Sequence, residues 1–175
     1  MSAVHLGLSL GHATDPEAEH WLAGHLPGTL DVPGLVACTH NVPAPYPHVA
    51  LSLEIQEPSG GTGGPLPETD PALRVAADEA AARHRDRVSG RAVRYPGVDA
   101  LIGTLTVAEI LELSAIERVT VLGGGEAAPD ALVETRDFVR PLFRAGKLEL
   151  VLVPVVGGRL APFEVPNPTP CCSDH

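Results

Sequence analysis

Two hydrophobic rhythms alternate along this chain. Val4 to Leu10 (VHLGLSL) repeats with a period of two and predicts a strand. Asp15-Pro16-Glu17 then supplies helix-start chemistry, with Thr14 or Asp15 as N-cap and proline at the first helical position. The helix should run through Trp21 and Leu22 and end near Gly28. Leu35 to His40 (LVACTH) is apolar and β-branched, a second strand. Pro43, Pro45 and Pro47 force an extended connection, because each fixes φ and removes a donor. His48 to Gln56 (HVALSLEIQ) alternates throughout and predicts a strand with one face in solvent.

Ser59 to Pro67 (SGGTGGPLP) reads as a flexible loop. Pro71 to Val88, capped by Thr69 or Asp70 and rich in alanine, is the longest expected helix, and Arg91 to Tyr95 a short strand. The first half thus has the βαββαβ order of a ferredoxin-like split unit. In the second half, Val107–Leu113 predicts a short helix and Arg118–Leu122 a buried strand. Ala128–Ala145 predicts an amphipathic helix, with Pro129 at its start and Gly146 just past its end. Leu148–Val155 and Arg159–Val165 form two strands joined by a turn at Gly157-Gly158. The expected fold is a single α/β domain over residues 1–165, with a mixed sheet of about six strands and flanking helices. A proline-rich arm, residues 166–175, follows it.

Charge narrows the partners. The formal net charge of −10 argues against a nucleic-acid surface, which needs concentrated positive charge. The arginines between Arg83 and Arg94 are interspersed with Asp86 and preceded by Asp78 and Glu79, so they read as a solvated helix face. That reading also places His84 in solvent. Eleven of the twelve cations are arginine, a bias expected of a GC-rich bacterial genome. No apolar run is long enough to span a membrane. Met1 leads directly into a strand pattern, without signal-peptide character, and the expected location is the cytoplasm, where thiols stay reduced.

The densest chemistry lies in Cys171-Cys172-Ser173-Asp174-His175. Thiolate and imidazole are the donors that zinc, copper or nickel prefer. The expectation is a transition-metal site, zinc first, with ligands Cys171, Cys172 and His175 joined by body histidines, His12 and His40 foremost. These two close the first and second strands, where open α/β sheets gather ligands. The partner would be the metal ion, with room for a small-molecule substrate and for a metal-dependent hydrolase. A second reading uses Cys171-Cys172 as a redox-active or soft-metal-handling pair, whose disulfide would be strained and easily reduced. A third places a nucleotide or small metabolite on Gly123, Gly124 and Gly125. With Ala128 these satisfy G-x-G-x-x-A, provided a helix follows directly. Cys38 reads as a buried free thiol, and no nucleophile elbow is present.

Overall fold

The computed structural model describes residues 2–29, 32–56 and 66–166. Its first half follows the expected order: β1 (Ala3–His12), α1 (Asp15–Thr29), β2 (Val36–Val42), β3 (His48–Gln56), α2 (Arg74–Arg85) and β4 (Arg91–Arg94). A 3-10 turn at Pro71–Leu73 leads into α2, and Asp70 caps it by accepting from the Ala72 amide. Thr14 caps α1: its hydroxyl accepts from the Glu17 amide, while Glu17 reaches back to the Ala13 amide.

These strands lie side by side as β1-β3-β2-β4, every neighbouring pair antiparallel. The ferredoxin-like expectation is therefore not met. β4 joins β2 rather than closing beside β1, and so carries the sheet onward into the second half. The consequence shows in the connections. β1–α1–β2 and β3–α2–β4 step the same way across the sheet but leave from oppositely directed strands. The preferred right-handed crossover then sends α1 and α2 to opposite faces. Along β3, Val49, Leu51 and Leu53 meet Leu22 and Leu26 of α1, while Ala50 meets Ala76 and Ala80 of α2. Both faces are covered, so β3 has no solvent face as its alternation suggested; His48 to Glu54 are buried without a break.

The second half contains β5 (Thr104–Thr106), α3 (Val107–Leu113), β6 (Arg118–Val121), β7 (Gly125–Glu126), β8 (Leu132–Glu134), β9 (Leu142–Arg144), β10 (Lys147–Val155) and β11 (Arg159–Pro162). β10 organises it. It pairs antiparallel with β9 and β11, and parallel with β6. Leu148, Leu150 and Leu152 centre a core with Ile110 of α3, Val119, Val133 and Phe143. The described residues thus form one mixed sheet of 11 strands rather than about six. The surplus consists of strands two to four residues long, too short to show a period.

The helix expected over 128–145 is absent. Its place is taken by β8, a turn with Arg136 and Asp137 at positive φ (57° and 53°), and β9. Thr135 Oγ1 donates to the Gly103 carbonyl, Asp137 Oδ1 accepts from the Gly103 amide, and the Pro141 carbonyl accepts from the Ala92 amide. Pro141 would have broken such a helix. Gly146 does not end a helix: with Ala145 it forms the two-residue turn of the β9–β10 hairpin, both at positive φ (50° and 81°).

Candidate metal centre

The face of the sheet beneath α2 collects an unusual set of side chains. Alternation along β1 brings His5, Gly7 and Ser9 to it, β3 brings His48, Ala50, Ser52 and Glu54, and β2 brings Cys38, His40 and Val42. The helix laid over them offers Ala76, Ala77, Ala80, Ala81 and then His84, one continuous stripe at helical spacing. His84 is fully buried (0% exposed), which overturns its reading as a solvent-facing residue. Alanines let α2 approach closely, and one longer side chain at the end of the stripe reaches the strands.

His84 lands between two groups. Its Nδ1 lies 2.8 Å from Ser52 Oγ, which is itself 2.7 Å from His40 Nε2. Its Nε2 is buried without a hydrogen-bond partner and faces Glu54 Oε2 at 3.4 Å. His5 Nε2 approaches the same oxygen at 3.4 Å. These three ligand atoms all lie within 4.8 Å of one another. At 3.4 Å the contacts exceed a good N–H···O hydrogen bond. Yet they match the separation of about 3.4 Å that two ligands 2.1 Å from a tetrahedral ion would have.

The surrounding hydrogen bonds suit ligation. Gln56 Nε2 donates to the other oxygen of Glu54, at 2.9 Å, leaving Oε2 to the histidines. If His84 Nδ1–H donates to Ser52 and the Ser52 hydroxyl donates to His40, His84 Nε2 is the nitrogen left facing Glu54, as a donor when it carries a proton and as a ligand when a metal takes that proton's place. An outer partner of this kind is what fixes a metal-binding histidine. Burial pushes the His40 pKa down to about 4, helped by His84 and Arg83, so its imidazole is neutral and able to accept. Burial, with His84, also lowers the pKa of His5, against the opposing pull of Glu54. The Glu54 carboxyl is held below the ordinary range, chiefly by His84 and against burial. The exposed fraction of the His5 and Glu54 side chains is 11% and 10%, so the cluster lies just below the surface.

Of the candidate ligands singled out from sequence, only His40 touches this network, through Ser52, among those described. Cys171, Cys172 and His175 lie outside the described residues. His12 and His40 are not brought together: β3 separates their strands, and they serve opposite faces. His12 packs against Trp21 of α1, with ring centroids 6.2 Å apart, whereas His40 lies in the Ser52 network. Gly123 and Gly124 lie in the exposed turn of the β6–β7 hairpin and Gly125 opens β7, with Gly123 and Gly125 at φ 75° and 79°. No helix follows them, so the helix N-terminus that would face a pyrophosphate is missing. Cys38 is buried as expected, and burial raises its thiol pKa, which keeps it protonated and inert.

His5 and Glu54 were legible as members of alternating strands, and the 76-80-84 spacing was the unused signal that His84 continues the alanine face. What the sequence did not show is that β1 and β3 set His5 directly opposite Glu54. No family model, no curated protein and no solved structure matches this chain.

Proposed function

We propose that this is a transition-metal-binding α/β protein whose metal lies between His5, Glu54 and His84, with zinc the first choice. The observation that carries the reading is the fully buried His84 Nε2, which makes no hydrogen bond and lies 3.4 Å from a carboxylate oxygen that a second imidazole also approaches at 3.4 Å. Two imidazoles and one carboxylate make a donor set used by catalytic zinc, which leaves a fourth position open. Such a centre would supply Lewis acidity and a more acidic bound water, the chemistry of a metal-dependent hydrolase. Cys171, Cys172 and His175 stay in the proposal as further donors, supported by their chemistry alone.

The test is elemental analysis after reconstitution with zinc, on the full chain, on the chain ending at Pro170, and on His84→Ala and Glu54→Gln. The expected result is about one equivalent of zinc in the full chain, largely lost in both single variants. Retention after truncation places the ligands in the body; loss on truncation adds the arm to the ligand set. Affinity should fall with falling pH as protons compete for imidazole, at His5 below the ordinary histidine range because burial lowers its pKa. Undiminished zinc in His84→Ala and Glu54→Gln would remove this site, and no zinc in any form would remove the function.

A further inference from the structure

The opposite face of the sheet carries an independent feature, a cleft between α1 and the second half. Two adjoining cavities, of about 510 and 620 Å³, share Glu19 and Ala23 as wall. The first is walled by Leu22, Leu26, Leu35 and Val93, the second by Phe138 and Phe163. Four charged groups from four separate segments meet there. Arg91 of β4 sends Nη1 to Glu19 Oε1 at 2.6 Å. Arg140 grips the same carboxylate with both arms, Nε to Oε1 at 3.0 Å and Nη2 to Oε2 at 2.8 Å, and lies 4.0 Å over the Phe138 ring. The remaining edge of Arg91 holds Glu164, with Nε 2.8 Å from each carboxylate oxygen and Nη2 also on Oε1.

The two carboxylates differ. Glu19 is largely buried (17% exposed), reached by both guanidinium groups, and built into α1. Glu164 is 37% exposed and stands on the chain just past β11. The face of Arg91 that it occupies is the planar fork that recognises a free carboxylate.

We infer that this cleft is a ligand site for a small monocarboxylate with an apolar body, that Arg91 is its recognition residue, and that Glu164 holds the carboxylate's place until the ligand displaces it. Charge selects the ligand class. Exchanging one carboxylate for another leaves the balance unchanged. A dianionic phosphate would meet Glu19 and Asp15 on the same wall, where Arg91 and Arg140 already face Glu19 and Arg94 is held by Asp99. The Phe163 amide donates to the Val151 carbonyl at 3.0 Å, so the segment bearing Glu164 is tethered at its start and needs only to swing.

Octanoate and octanamide, titrated by calorimetry into the full chain, separate a carboxylate site from a greasy groove. An attached carboxylate competes at high effective concentration, so Glu164→Gln should bind octanoate about tenfold more tightly than the natural chain. Octanamide should bind that variant at least about tenfold more weakly than octanoate, and adding Arg91→Lys should weaken octanoate by a similar factor, because an ammonium lacks the fork. Octanoate should also speed amide exchange at Glu164 and Val165. Absence of saturable octanoate binding to Glu164→Gln, or equal binding of octanoate and octanamide, would overturn the inference. If Arg91→Lys does not fold, the acid-against-amide and Gln-against-Glu comparisons still decide it. The metal centre lies across the sheet, so neither result bears on the other.

Discussion

β3 presents two chemically unlike faces within one strand. Toward α1 it offers Val49, Leu51 and Leu53, each 1% exposed, in a cluster with Leu8, Leu22 and Leu26. Toward α2 it offers His48, Ala50, Ser52 and Glu54, all buried as well. The first face is accounted for by the area it removes from water. The second is not. Imidazole, hydroxyl and carboxylate lose solvation on burial and return it only where partners are in reach. Partners are indeed provided: Ser9 Oγ lies 2.8 Å from His48 Nε2, His48 Nδ1 lies 2.7 Å from the Tyr46 carbonyl, and Ser52 bridges His40 and His84. His84 Nε2 makes no hydrogen bond and faces Glu54 Oε2 at 3.4 Å. The lesson is that equal burial can serve different ends. One face is apolar packing, and the other is a polar network that ends in two imidazoles facing one carboxylate.

The largest expected effect falls on the apolar face. Leu51→Ala leaves a cavity beneath α1 and should lower unfolding stability by about 4 kcal/mol in urea titrations. Zinc bound per folded molecule should not change. A variant that lost zinc along with stability would couple the two faces and break the contrast. Gly7→Ala is the converse. A Cβ there would lie 1.9 Å from the Ala77 carbonyl oxygen, which belongs to the backbone of α2 and cannot swing aside. Overpacking should cost about 3 kcal/mol. It should also lift His84 from Glu54, so this variant should lose zinc out of proportion to its stability. Normal zinc content in folded Gly7→Ala would show that the helix position does not set the site.

The same contrast explains what could be read in advance. The long strands β1, β2, β3 and β10 and the helices α1 and α2 were legible, from alternation or apolar runs in the strands and from start signals in the helices. Alternation in HVALSLEIQ marked two chemically distinct faces, but the step from polar to solvated failed under an alanine-rich helix. His84 was misread likewise: its arginine neighbours point out, whereas its own position follows Ala76 and Ala80. The segment 128–145 scanned as amphipathic helix, yet Val133 and Phe143 are buried by strand partners distant in sequence, which local spacing does not report. Pro141 and the β-branched Val133, Thr135 and Val139 were the available warnings. The candidate centre depends on the β1–β3 register and on which face α2 covers, both products of tertiary pairing.

A milder effect should separate the two faces by pH. His40 has its pKa lowered to about 4, first by burial and then by His84 and Arg83. In the unfolded chain the same imidazole titrates near 6.5. Below that value the unfolded state binds a proton that the native state refuses until about pH 4, so stability is full above about 6.5 and falls as pH drops between the two. One such group accounts for at most about 1.4 kcal/mol per pH unit. The burial-lowered pKa of His5 acts in the same direction. Urea titrations of metal-free protein at pH 7.5, 6.0 and 5.0 should show this slope, and His40→Gln, which keeps an acceptor for Ser52 but cannot titrate, should flatten it. Leu51→Ala should lower the whole curve and leave its slope unchanged, because no titratable group lies among its apolar neighbours. A slope that survives His40→Gln intact would move the titration to another histidine and detach His40 from the network.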